Sequence, residues 1–204
     1  MHSPVNQVNN AMIQFHLSKT LSKDLAMHLS QAQAVNASAM QWYAHRVTVL
    51  RRKCIIAMEW QSRYSMVFCG LTKNEFSQFP EIFADRLWRE AVSLCQLDEH
   101  GSEKLVALIE MLSAEQHFQT GSDRSVQAHI NDVAWHLKDM AGRIGHLPES
   151  PEDAFGFGVQ MNEWLRKCKG DKDYFKPIEV FRDFWLGMLE HVALEQRDIA
   201  HFPA

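Results

Sequence analysis

The feature that most constrains this chain is a change of hydrophobic period near Thr72. Strand side chains point alternately to opposite faces, whereas residues three and four apart share a face of a helix. From Gln41 to Leu71 the pattern is that of strands. Three runs, W-Y-A-H-R-V-T-V-L, C-I-I-A-M-E-W and Y-S-M-V-F-C-G-L, are rich in aromatic and β-branched residues and are joined by the short polar links R-R-K and Q-S-R. They predict a three-stranded antiparallel meander.

Beyond Thr72 the pattern turns helical. Thr72 and Glu75 have capping-box spacing, and Phe76, Phe79, Phe83, Leu87, Ala91 and Leu94 form one apolar stripe whose first turns Pro80 interrupts. A second helix is expected from about Ser102 to Gln116 on Leu105, Leu108, Ile109 and Leu112, followed by a turn through F-Q-T-G-S-D-R-S. Val126, Ile130, Val133, Leu137, Ala141 and Ile144 mark a third, which ends between Gly142 and Gly145. A fourth contains V-Q-M-N-E-W-L, and a fifth begins after Pro177, which suits a first helical turn because its missing N–H is not needed there. Ahead of the meander, M-I-Q-F-H-L reads as a short strand that extends the sheet, and Leu21, Leu25 and Leu29 as a helix. Residues 1–11 read as a loose polar leader and Gln31–Ala39 as a polar loop. The expected fold is a single α+β domain over residues 12–204, a small antiparallel meander sheet covered by five or more helices.

Composition agrees with a packed core. Of 204 residues, 46% are hydrophobic and 23% charged, which is globular rather than disordered. Cys54, Cys69, Cys95 and Cys168 form no C-x-x-C pair and sit mostly in apolar runs, so buried free thiols are expected rather than a zinc knuckle or a disulfide framework. No basic segment followed by an apolar one opens the chain, and no apolar run is long enough to span a membrane, which together point to a cytoplasmic protein. A net charge of −4 gives no overall attraction to nucleic acid.

Local chemistry is richer. His129, Asp132 and His136 share one side of the third helix, where Asp132 can orient His136 or two imidazoles and a carboxylate can hold a metal. No H-E-x-x-H or zinc signature is completed, so the expectation is no metal and no cofactor. An exposed helix pair explains the spacing equally well. Asp123 or Ser125 is suited to cap this helix, and Arg51 or Arg52 can reach Asn131 or Asp132 to make a partly buried polar network. Arg46, Arg51, Arg52 and Lys53 cluster beside Trp42, Tyr43, Trp60 and Tyr64, a mixture of cations and aromatics that can hold phosphates and stack bases. A second cationic run comprises Arg166, Lys167, Lys169, Lys172 and Lys176, broken by Asp171 and Asp173. Either run is also an ordinary solvated turn. Gly156 and Gly158 in A-F-G-F-G-V lack the third glycine of a dinucleotide fingerprint, and no P-loop is present.

Four stretches occur together and in order: W-Y-A-H-R-V-T-V-L-R-R-K-C-I-I, G-L-T-K-N-E-F, D-R-S-V-Q-A-H-I-N-D-V-A-W-H-L and K-P-I-E-V-F-R-D-F-W. In these the chain resembles, from about Met12 to Trp185, a bacterial and phage-associated family described as a domain of unknown function. The resemblance implies a single small α+β domain of prokaryotes and brings no substrate, cofactor or catalytic residue with it. The family pattern has Asn at His45 and Gly-Ser-Met at Gln127, Ala128 and His129, which weakens an enzymatic reading of His45 or His129. Arg51, Arg52, Lys53, Arg124, Ser125, Asn131 and Asp132 match the pattern.

With no complete catalytic constellation, the sequence leaves enzymatic activity undecided. It favours a non-catalytic accessory or regulatory domain that binds a protein partner or a second copy of itself. The alternative is a nucleic-acid-binding or nucleic-acid-processing protein that uses residues 46–53. The candidate polar site is Arg51, Arg52, Lys53, Arg124, Ser125, Asn131, Asp132 and His136; the candidate nucleic-acid contacts are Trp42, Tyr43, Arg46, Arg51, Arg52 and Lys53.

Overall fold

A computed structural model describes residues 12–30, 39–168, 170 and 172–200; the leader and most of the 31–39 loop lie outside the described residues. The fold is α+β. Strands β1 (Ile13–Leu17), β2 (Met40–Val49), β3 (Arg52–Glu59), β4 (Ser65–Phe68) and β5 (Gln116–Thr120) form one sheet in the order β4-β3-β2-β1-β5. Around it stand α1 (Leu21–Asp24), α2 (Lys73–Ser77), α3 (Phe79–Cys95), α4 (Glu99–Ser113), α5 (Arg124–Ile144), α6 (Pro151–Asn162) and α7 (Pro177–Ala200).

The meander is present as β2-β3-β4, with Val47 opposite Cys54 and Ile55 opposite Phe68. The sheet as a whole is mixed, which corrects the purely antiparallel expectation. β1 runs parallel to β2, with Phe15 beside Trp42, and parallel to β5, with Phe15 beside Phe118. Every residue of β1 is buried, since β2 and β5 flank it on both edges and its Ile13, Phe15 and Leu17 pack into the core. β5 falls where the sequence reads as a helix end and a turn. Its residues Q-H-F-Q-T carry one apolar side chain, too few to register as a strand pattern, and Phe118 is held by stacking on Phe15 at 4.6 Å.

One face of the sheet carries Ile13, Phe15, Leu17, Trp42, Ile55 and Phe68 against α3, α4 and α7, an aromatic core in which Phe83 meets Phe15 edge-on at 4.7 Å. The other face carries Val47, Cys54, Ile56, Met58 and Val67 against α5 and α6. α5 crosses β2 and β3, and α6 lies on β4. On this second face β1 presents Gln14 and His16, so the covered surface changes from apolar to polar towards β1.

Local boundaries follow chemistry. The Thr72–Glu75 capping box is formed in both directions. The expected long helix divides into α2 and α3, since Pro80 occupies the first turn of α3 and cannot donate back into α2. The helix expected on Leu21, Leu25 and Leu29 shortens to α1 and a 3-10 turn, Ala26–His28, because Leu29 bridges to Phe118 and Ser30 donates its amide to the Phe118 carbonyl. α5 stops at Gly145, whose φ of 83° is the left-handed conformation that terminates helices.

Candidate functional site

The best-defined polar cluster lies on the second face, at the start of α5. Its first member comes from the β3–β4 turn. Glu59 is buried and accepts from the amides of Gln61 and Ser62 and from the Ser62 hydroxyl. This tight loop puts Arg63 at φ 60°, an uncommon conformation for a side chain of its size. Its guanidinium turns inward and donates to the Trp60 carbonyl and, at 3.0 Å, to Ser125 Oγ, leaving the residue 5% exposed.

Ser125 is available because Asp123 performs the capping, accepting from the amides of Ser125 at 2.7 Å and Val126 at 3.1 Å. Tyr43 of β2 stands nearby, stacked on His16 at 4.5 Å, and burial together with the Asp123 charge holds its phenol above the ordinary range. His16 is fixed by Gln41 at 2.5 Å and Gln119 at 3.2 Å. At Gly121 a Cβ would stand 2.7 Å from His16 Nδ1, so the backbone approaches this ring more closely than an alanine allows.

One turn along α5 from Ser125 is His129, half-buried, with a buried Nδ1 that has no partner. Its pKa is pushed down to about 4 by burial and then by Arg166 and Arg63, with Asp132 opposing. Arg166 follows α6 and is held by paired backbone hydrogen bonds with Phe175, 2.8 and 2.9 Å. It is 8% exposed, yet its Nε is buried without a partner, and no carboxylate among the described residues lies within ion-pairing distance. Burial depresses its pKa and Arg63 adds to this, while Asp132 acts in the opposite sense.

His129, Asp132 and His136 do share one side of α5, alongside the 163–166 segment. Asp132 acts on Arg166 and Arg166 on His129, and His136 sits edge-on to Trp164 at 4.2 Å and to Trp135 at 4.6 Å. Among the described residues no group of three or more His, Cys, Asp or Glu is placed to hold a metal.

The rest of the expected site is dispersed. Asn131 is exposed and accepts from Gln127 at 2.9 Å, and Asp132 is exposed with no hydrogen bond among the described residues, so neither stands in the expected buried network. Both lie off the stripe Val126, Ile130, Val133 and Leu137 that α5 turns to the sheet. Arg124 is exposed. Arg46 and Lys53 share Asp24, each at 2.8 Å, on the face opposite α5. Arg52 binds Glu149 at 3.2 Å and the Gly70 carbonyl at 2.7 Å; Arg51 occupies the β2–β3 turn at φ 63°. These cations therefore do not converge with Asn131, Asp132 or His136. Trp42 is fully buried in the core and has no face for a base, which removes it from the nucleic-acid contacts. Cys54 and Cys95 are buried and all four thiols are free.

Sequence reasoning passed over Arg63, whose turn looks like any polar link, and read Arg166 as one cation in a solvated run. Arg166 is buried where Lys167 beside it is exposed, a difference that no local pattern reports.

The family model described as "Domain of unknown function (DUF6933)" matches residues 14–180, and the chain belongs to that family. No curated protein and no solved structure matches the chain. No described helix is long and apolar enough to cross a membrane.

The His129 environment has a measurable consequence. An unfolded His takes up its proton near pH 6.5, whereas His129 in the fold resists until about 4. Its contribution to stability is therefore complete above pH 6.5 and is lost as the pH falls towards 4. Denaturant unfolding at pH 7 and pH 4.5 is expected to lose about 1–2 kcal/mol through this group, the full shift being discounted for its partial exposure. His129→Gln is expected to shrink the difference between the two pH values by that amount; an unchanged difference would contradict the assignment.

Proposed function

We propose that this domain is a non-catalytic accessory or regulatory module that works by contact with a protein partner. The observation that carries the reading is the surface formed by α5 and the 163–175 segment. Trp135 is 61% exposed, Trp164 46%, Leu165 63% and Tyr174 64%. The first two are joined through His136, and Lys167 lies over the Tyr174 ring at 5.2 Å. Large apolar side chains gathered in water mark contact surfaces, and tryptophan and tyrosine are the residues that interfaces favour.

The nucleic-acid alternative has less support. Arg46 and Lys53 are both engaged by Asp24, and Arg52 by Glu149. Phosphate contacts need free cations, and their binding would weaken steeply with salt.

Trp135→Ser with Trp164→Ser provides the test. Mass-resolved size exclusion and affinity capture are expected to show a specific complex for the parent chain and at least a tenfold weaker one for the double variant, since hot-spot aromatics contribute about 2 kcal/mol or more each. Loss of a homo-oligomer would make the partner a second copy of the chain. A parent chain that stays monomeric and retains no partner, or a complex indifferent to both substitutions, would overturn the reading.

A further inference from the structure

Three arginines among the described residues are more than nine-tenths buried, and the fold treats them differently. Arg86 is paired with the buried Glu90. Arg63 donates only to neutral acceptors, a carbonyl and a hydroxyl, and its Nε has no partner. Arg166 has no side-chain partner among the described residues. A buried guanidinium without an ion-pair partner is unfavourable; Glu59 and Asp123 act on Arg63 from a distance but are engaged by backbone amides, and the Arg63 charge disfavours that of Arg166. His129, one turn along α5 from the Ser125 that Arg63 binds, feels the charge of both arginines, and its buried Nδ1 is also unsatisfied. Ser125, one turn earlier on α5, accepts from Arg63 and hydrogen-bonds the Asp123 carboxylate, which fixes the guanidinium beside the start of the helix.

We propose that Arg63, Arg166 and His129 form a receptor for a small oxyanion, a phosphate group in particular. Arginine forks match phosphate oxygens in a planar, bidentate manner. A tetrahedral anion offers several acceptor oxygens to donors arriving from three elements: the β3–β4 turn, α5 and the segment after α6. Asp132 stands exposed at the rim and acts on both Arg166 and His129. It opposes entry of an anion rather than replacing it, because it makes no ion pair with Arg166. This site does not depend on the aromatic face binding a partner.

The full chain is melted in inorganic phosphate and in chloride at matched ionic strength, with glycerol phosphate as the ester probe. Phosphate is expected to raise the melting temperature of the parent chain saturably. In chloride, Arg166→Met is expected to melt about 2–4 °C higher than the parent, having lost an unpaired buried charge, and to show no phosphate response. Asp132→Asn is expected to bind phosphate about threefold or more tightly, since a like charge leaves the rim. A response to glycerol phosphate equal to that of inorganic phosphate assigns an esterified group, and a response to inorganic phosphate alone assigns the free ion; either sustains the receptor. Absence of any response in the parent chain overturns it, as does a response that survives Arg166→Met. Destabilisation by both Arg166→Met and Asp132→Asn, with no gain in phosphate affinity in the latter, would assign Arg166 to a structural ion pair instead. Should Arg166→Met fail to fold, weaker or unchanged phosphate binding by Asp132→Asn decides against the receptor. Trp135→Ser with Trp164→Ser leaves the phosphate response intact, which separates this site from the partner surface.

Discussion

Glu90→Ala is expected to destabilise the protein by about 3–5 kcal/mol, the range seen when one member of a buried ion pair is removed. Glu90 is 3% exposed and accepts from the Arg86 guanidinium and, at 2.8 Å, from the Tyr64 hydroxyl. Burial raises its pKa while Arg86 and Tyr64 oppose the rise. Alanine leaves a buried cation without a counter-charge and a fully buried phenol without an acceptor. Glu90→Gln keeps a partner for Tyr64 but not the charge, so it is expected to cost less than alanine and still more than about 1 kcal/mol. Adding Arg86→Met to Glu90→Gln is expected to recover much of the loss, because the charge that needed pairing has gone. Urea unfolding of the series measures this, and an alanine variant within experimental error of the parent would show that the pair contributes nothing.

Asn162→Ala has the next largest expected effect, a loss of about 2–4 kcal/mol from two buried backbone groups left unsatisfied. The Asn162 side chain accepts from the Ser65 amide at 2.8 Å and from its hydroxyl at 3.0 Å, and donates to the Ser65 carbonyl at 2.8 Å. Asn162 and Ser65 are both fully buried. β4 is an edge strand, so the backbone groups it turns away from β3 have no strand to meet, and α6 supplies the amide in its place. Asn162 also ends the helix just before Trp164 and Arg166, so it positions the segment that carries both proposed contacts. The variant is expected to lose phosphate response and partner binding together, accompanied by lower stability in urea. Asn162→Asp is a sharper control: a carboxylate accepts from the amide but cannot donate to the carbonyl, and retained full stability would contradict the clamp.

How much of this was legible in advance depended on the range of the interaction involved. The three strands of the meander were readable because their alternation is local and their links are short. The Thr72–Glu75 box, the start of α7 at Pro177 and the stop of α5 at Gly145 were equally readable, since each is settled by groups a few residues apart. His129, Asp132 and His136 fell on one side of α5 because helical geometry alone places them there.

Other elements answered to residues far away in the chain. β5 is a strand only because β1 offers its edge and Phe15 a stacking partner some hundred residues earlier in sequence. The parallel direction of β1 is likewise a property of the assembled sheet, and no periodicity distinguishes it from an antiparallel neighbour. The candidate site shows the same division. Arg46, Arg51, Arg52 and Lys53 form a conspicuous cluster in sequence, yet three of them are drawn into ion pairs with just two carboxylates, Asp24 of α1 and Glu149 of the loop before α6. Arg63 and Arg166 are inconspicuous, and what distinguishes them is burial without an ion pair among the described residues. Sequence by itself determined the class of fold, those helix limits set by local caps and stops, and the faces that the long helices turn inward, because those follow from local spacing. Tertiary structure alone decided which cations keep an unanswered charge, since burial and pairing depend on what the rest of the chain brings alongside.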